Sequence, residues 1–325
     1  MTDPHQTETA ATAADEATSQ GSLGVADANP AGKPLREFIQ RLNRLLPLIP
    51  EVDWVNHLAA TWHVGRWQTG FLALPTMALI ELDDLLHIDR QKQQIIANTA
   101  QFVAGLPANN CLLWGARGTG KSSLVQGLLG QFGDQGLRMV EVSKDHLADM
   151  SEILAELARL PYRFIVFCDD LSFEADDASY KSLKSALDGA LCEAAANVLI
   201  YATSNRRHLL VESAADNTAS TMQGSELHPS EGIEEKISLS DRFGLWLSFY
   251  PYPQPAYLDM VRRWVDKLAE QHGLTELQGT AADPDERAAA LRFALGRGVR
   301  SGRTAQHFAR AWVGAKLLER QGADF

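Results

Sequence analysis

From position 111 onward, short runs that are apolar at nearly every place alternate with segments whose apolar residues recur every three or four places. The uniform runs are 111–115 (CLLWG), 137–143 (LRMVEVS), 162–170 (YRFIVFCDD), 197–205 (NVLIYATSN) and 245–252 (LWLSFYPY). Runs of this kind are strands buried on both faces, because alternation survives only where one face meets water. Between them, 121–132, 150–160 and 178–195 carry the helical period. Strand–helix alternation requires crossover connections, so the pattern predicts a parallel sheet covered by helices on both sides.

The flanks read differently. Residues 1–33 are rich in Ala, Thr, Asp and Gly and poor in large apolar groups, a composition expected to stay disordered. Over 35–49 (LREFIQRLNRLLPLI) apolar residues return at helical spacing, and Trp54, Trp62 and Trp67 follow. Residues 34–80 are therefore expected to form a helical extension, with the tryptophans in a core or docking surface. Residues 81–105 predict a further helix ending near Gly105. After Pro253 the chain is helical again over 257–273, 285–296 and 303–320, which predicts a small helical domain over 253–325 that follows a core over 81–252. Residues 212–235 show no hydrophobic period and are expected to form a surface loop.

Composition narrows the function classes. A formal charge of −11 argues against a generally basic nucleic-acid surface. Three cysteines without CxxC spacing, all in apolar segments, read as reduced buried thiols and give no disulfide frame or zinc site. The N-terminal segment lacks an apolar signal core, and the longest apolar stretches are too short to span a bilayer, so a cytoplasmic protein without membrane contact is the expectation.

The chemistry begins at 115–122, GARGTGKS, which fits G-x-x-x-x-G-K-[ST] between a strand and a helix. Gly115, Gly118 and Gly120 let the backbone wrap an anion, and the helix that starts there presents its positive end. Lys121 is placed to reach outer phosphates and the Ser122 hydroxyl to ligate Mg²⁺. Gly115, Ala116, Arg117, Gly118, Thr119, Gly120, Lys121, Ser122 and Ser123 are the expected nucleotide-binding set. With no N-K-x-D guanine signature, ATP with Mg²⁺ is the preferred ligand.

Two acidic residues, Asp169 and Asp170, end a buried strand, where ligands of parallel sheets bind. Asp169 suits the metal, and Asp170 suits orienting or deprotonating a water. Glu174 is a weaker candidate for that water. Asn205 ends another apolar strand, either as a neutral amide that positions water or as a helix cap. Arg206 and Arg207 face solvent, a phosphate or an interface. Arg242, just before the last strand, reads as a guanidinium delivered to a γ-phosphate or as a surface ion pair. Arg300 and Arg303 start the last helix and either fold back onto nucleotide or stay solvated.

These motifs, in this order, resemble the AAA+ ATPases over about 81–325. Gly115 to Ser122 look like Walker A, and Asp169 and Asp170 like Walker B in the aspartate-pair form of bacterial replication initiators, helicase loaders and transposition-helper ATPases. Asn205 matches sensor 1, Arg242 in SDRFG the arginine finger, and Arg303 in SGRTA sensor 2 on the helical lid. More closely, 107–125, 161–174, 201–210 and 234–251 look like a bacterial family of predicted AAA+ ATP-binding proteins, a domain of unknown function. The resemblance implies a P-loop NTPase α/β/α fold with a five-stranded parallel sheet in the order 5-1-4-3-2 and a helical lid. It implies an adenine contact at His87 and Ile88, where DLLHID stands in place of the family's DLLGID. A finger that acts across a subunit boundary implies a homo-oligomer or a partner ATPase. The functions in competition are an ATP-hydrolysing machine or switch that acts on a protein partner, a nucleotide-gated binding module, and a small-molecule kinase. Nucleic acid as partner rests on that branch's analogy alone, without support from charge.

Overall fold

A computed structural model describes residues 49–74, 80–173, 178–187, 196–206, 222–223, 226–227, 239–277 and 284–322. The expectations for 1–33, for 34–48 and for Glu174, Arg207 and Cys192 lie outside the described residues.

The strands are β1 (Ala59–Val64), β2 (Thr69–Ala73), β3 (Cys111–Gly115), β4 (Leu137–Glu141), β5 (Arg163–Cys168), β6 (Val198–Ser204), β7 (Met222–Gln223), β8 (Glu226–Leu227) and β9 (Leu245–Phe249). The helices are α1 (Asp89–Val103), α2 (Lys121–Phe132), α3 (Met150–Leu157), α4 (Ala178–Leu187), α5 (Gln254–His272), α6 (Pro284–Arg297) and α7 (Gly302–Arg320). The main sheet has seven strands in the order β2-β1-β4-β5-β6-β3-β9, and β7 and β8 form a separate antiparallel pair within the expected loop 212–235.

The five uniform apolar runs become β3, β4, β5, β6 and β9, all paired in parallel. Counted along the chain within that set, their order is 5-1-4-3-2, with β6 between β3 and β5 as expected. Helices α1 and α2 cover one face through Ile95, Phe102, Leu124 and Leu128 against Leu113 and Tyr201. Helices α3 and α4 cover the other through Ile153, Leu157 and Leu183 against Phe164 and Val166. The result is the α/β/α layering that strands apolar on both sides require. Helices α5, α6 and α7 have a core of their own, built on Tyr257, Val265, Ala290, Ala305 and Phe308. Cys111 and Cys168 are buried free thiols.

The expectation of a helical extension over 34–80 is corrected at 59–73. There the chain forms β1 and β2, an antiparallel hairpin whose first strand extends the sheet parallel to β4. The physical reason lies in period two rather than 3.6. Ala60 and Trp62 point into the core shared with α3 and α4, while Ala59 joins the core on the opposite face. Gly65 closes the turn, its amide donating to the Gln68 carbonyl at 2.8 Å. Trp62 is buried and its Nε1 donates to Asp149 Oδ2 at 3.0 Å. Trp54 packs edge-on against Phe164 at 5.0 Å between ring centroids. Trp67 remains 67% exposed, so two of the three tryptophans are core and the third is surface.

Because Trp62 joins the hairpin to the main core, Trp62→Ala is expected to cost about 3–5 kcal/mol. Denaturant unfolding reads this as a lowered midpoint with one transition. An unchanged midpoint would show that the hairpin does not share the cooperative core.

Candidate functional site

Every functional side chain singled out on β3, β5 and β6 lies at the same end of the sheet. Parallel pairing sets this. Leu113 of β3 is opposite Thr203 of β6, and Cys168 of β5 is opposite Ala202, so Gly115, Asp169 and Asn205 leave their strands side by side. The C-terminal edge of a parallel sheet is where the chain first escapes both helix layers, which is why its ligands gather there.

The loop after β3 has a shape that side chains would block. Gly115 has φ +129°, and a Cβ there would stand 2.0 Å from the Phe249 carbonyl oxygen of the neighbouring strand. Gly118 has φ +73°, with a Cβ site 2.7 Å from Ser301. The loop's outer turn is held by Thr119, whose hydroxyl donates to the Ala116 carbonyl at 2.8 Å, and by Tyr252, whose phenol donates to the Thr119 carbonyl at 2.8 Å. Burial pushes the Tyr252 phenol up to about 12, so it remains a donor through the physiological range.

Lys121 is buried in the floor of this loop. Its Nζ donates to the carbonyls of Gly115 at 2.9 Å and Ala116 at 2.8 Å, and to Asn205 Oδ1 at 3.2 Å. Burial lowers its pKa, and the nearby carboxylates of Asp170 and Asp169 work in the opposite direction. Beside it, Ser122 Oγ donates to Asp169 Oδ1 at 2.6 Å, and Thr203 Oγ1 donates to the same oxygen at 2.5 Å. The Asp170 amide donates to Thr203 Oγ1 at 2.9 Å, and Asn205 Nδ2 donates to Asp170 Oδ1. Asp170 has φ +52°, a left-handed conformation that turns its carboxylate away from the strand direction.

These groups line one end of a cavity of about 440 Å³. Its remaining lining is mostly apolar, with Leu85, Leu86 and Ile88 from the segment before α1 and Tyr252, Met260 and Trp264 from the chain around α5, and includes the one carboxylate of Asp84. A cleft of this size, with charge at one end and an aromatic–aliphatic slot at the other, suits a ligand with an anionic tail and a flat apolar head. The three positive-φ glycines leave the backbone bare where a phosphate would approach, and the Ser122–Asp169 oxygen pair is the hard donor set that Mg²⁺ takes.

Arg117, Gly118, Thr119, Gly120, Lys121, Ser122 and Ser123 line this cavity, as do Asp169, Asp170, Asn205, Ile88 and Arg303. Gly115 and Ala116 lie beneath it as acceptors of the Lys121 ammonium. Two expected residues stand apart. His87 does not line the cavity; its Nε2 meets Asp259 Oδ2 of α5 at 3.0 Å. It also has φ +61°, a conformation glycine adopts at no cost, which explains why DLLGID suits this turn. Of the two positions implied to contact adenine, Ile88 lines the cavity and His87 does not, while the adjacent Leu86 does. Arg242, half-buried before β9, lies outside the cavity of its own chain. Arg206 and Arg300 are exposed.

Sequence reasoning missed several residues. Glu141 ends β4, and its carboxyl is raised by burial and by Asp169. Thr203 of β6 joins Asp169 to Asp170. Asp84 is a buried carboxylate at the apolar end, paired with α5. Strand order, which one sequence does not disclose, is what brings Glu141 to Asp169.

Residues 55–316 match the family model described as "Protein of unknown function (DUF815)". The chain belongs to this family. Its fold is the P-loop nucleotide-binding fold of AAA+ type, on the evidence of the loop and the strand order. Among solved structures it is similar to the Thermotoga maritima RuvB Holliday junction branch migration motor, at 17% identity over 75% of this chain and 67% of that one, with TM-score 0.46. It is also similar to the Aeropyrum pernix Orc1 protein in complex with DNA, at 17% identity over 72% and 61%, with TM-score 0.47. A third is DnaI, at 16% identity over 59% and 94%, with TM-score 0.37. None of the curated proteins compared matches this chain. Among the described residues no helix is long and apolar enough to cross a membrane.

The crowding at Gly115 gives a direct test. Gly115→Ala is expected to lose more than about 2 kcal/mol, since backbone on both sides must shift. Calorimetric unfolding at the wild-type midpoint would show that the loop can move off β9 freely.

Proposed function

We propose that this member of the family binds ATP with Mg²⁺ and hydrolyses it to ADP and phosphate, in an assembly where a neighbouring copy or partner ATPase completes the site. The observation that carries the reading is the buried Lys121 ammonium beside the Ser122–Asp169 pair on the floor of a cavity with an apolar far end.

The residues divide the work by reach. Lys121 trades its bonds to the Gly115 and Ala116 carbonyls for outer-phosphate oxygens, while amides of 116–123 face the same charge. Ser122 and Asp169 hold Mg²⁺, which when bound neutralises charge on the outer phosphates. Asp170 accepts from the attacking water and orients it, with Asn205 fixing that carboxylate and contacting Lys121. Arg303, at the start of α7, approaches the phosphates from the lid. Arg242 serves the site of a neighbour, a role consistent with its position outside its own cavity. The slot between Ile88 and Trp264 takes the adenine.

A second reading, a nucleotide-gated module with little turnover, is favoured by one feature. Asp170 has a shorter arm than the glutamate usual after the metal-binding aspartate, and Asn205 already occupies one of its oxygens. On either reading the cycle would remodel or switch a protein partner.

Titration calorimetry with Mg²⁺–ATP is expected to show binding that Lys121→Ala removes. Loss of binding in wild-type protein would overturn both readings. For hydrolysis, Arg242→Ala and Asp170→Asn are each expected to lower phosphate release at least about 10³-fold while ATP still binds. Mixed together they should regain activity, because one subunit keeps an intact site and the other an intact guanidinium. Two inactive variants that stay inactive when mixed would assign Arg242 no role across a boundary. Wild-type release near the uncatalysed rate in the assembled state would select the gated module.

A further inference from the structure

We infer that a ladder of ion pairs between segment 81–87 and one face of α5 sets the width of the apolar slot, and that Asp84 is its central positioning residue. The inference rests on the reading that this slot takes a nucleotide base, and it assigns the control of that binding to a ladder in which Asp84 lines the cavity while its partners Arg263 and Lys267 do not.

Asp259, Arg263 and Lys267 are spaced four apart on α5 and so share one face of the helix. Each meets the segment that precedes α1. Asp259 pairs with His87 at 3.0 Å. Arg263 Nη2 stands 2.9 Å from Asp84 Oδ1, and its Nε donates to the same oxygen at 3.0 Å. Lys267 Nζ donates to Asp84 Oδ2 and lies 3.2 Å from Glu81. As α5 advances, its partners step back along the segment, so the two run past each other and lock in one register.

The neighbouring face of α5 carries Met260 and Trp264, each one residue beyond a rung, and both line the slot. The opposite wall, Leu85, Leu86 and Ile88, is interleaved with the ladder's own Asp84 and His87. The same two elements therefore supply both the walls and the opposite charges that fasten them at one separation. Asp84 is the member whose loss matters most. Its side chain is 2% exposed, and both of its oxygens are taken by lid cations. Removing it leaves Arg263 and Lys267 facing a buried neutral group, a change that breaks the register rather than weakening one contact. Exposed rungs such as His87–Asp259 contribute less.

The prediction separates base from phosphate. Asp84→Asn is expected to weaken Mg²⁺–ATP binding about tenfold by calorimetry, with the affinity for Mg²⁺–tripolyphosphate unchanged, because tripolyphosphate uses only the loop end of the cavity. Lys267→Met, which removes one peripheral arm, should give a smaller loss of the same kind, and Lys267→Arg should restore ATP affinity. Quenching of tryptophan fluorescence by bound ATP, reporting on Trp264, should fall with the affinity. Equal ATP affinity in wild type and in both Asp84→Asn and Lys267→Met would overturn the inference. So would a parallel loss of tripolyphosphate binding, which would mark a general folding defect. Should Asp84→Asn not fold, the Lys267 pair decides alone. Failure of wild type to bind ATP while it still binds tripolyphosphate would instead overturn the reading of the slot.

Discussion

A primary ammonium buried under main-chain carbonyls organises this molecule. Lys121 is removed from water, which burial alone makes costly, and the cost is offset by the Gly115 and Ala116 carbonyls, by Asn205 and by the field of two aspartates. Each offsetting group belongs to a different part of the fold. The carbonyls come from the loop after β3, the amide from the end of β6 and the carboxylates from the end of β5. A single cation thus fixes the relative position of three strand ends, and those strands hold that position only in the order β5-β6-β3.

Around it, the polar strand ends form one connected chain. Ser122 and Thr203 both donate to Asp169, Thr203 accepts from the Asp170 amide, and Asp170 accepts from Asn205, which returns to Lys121. Between Ser122 at one end and Lys121 at the other, each inner member is committed on both sides, so none moves without disturbing the next. On the proposed reading, an anion that captures the ammonium would compete for the same bonds and be felt at Asp170, so binding and chemistry would be linked by shared hydrogen-bond partners.

What was legible in the sequence follows from how local each signal is. The phosphate loop was legible because its chemistry sits in eight consecutive residues between a strand and a helix. The five buried strands were legible because burial on both faces leaves an uninterrupted apolar run. The hairpin of β1 and β2 was not, because Ala60 and Trp62 alternate over only a few positions after a run whose apolar residues recur at helical spacing. Asp84 read as one of several acids before a helix, and only the docking of α5 gives it two cations. The positive φ of His87 is a property of the backbone turn, and its misfit shows only once the dihedral is known. Short-range chemistry was readable; whatever depends on which distant segment lies alongside was not.

The close approach of Gly118 to Ser301 is accompanied by a main-chain bond from the next residue. The Gly302 amide, at the first turn of α7, donates to the Gly118 carbonyl at 2.9 Å. Both partners are main chain, so no side chain supplies the bond, and an imino acid at 302 would remove the donor. The C-terminal helical unit is therefore tied to the phosphate loop through main-chain atoms, so a displacement of one strains the other.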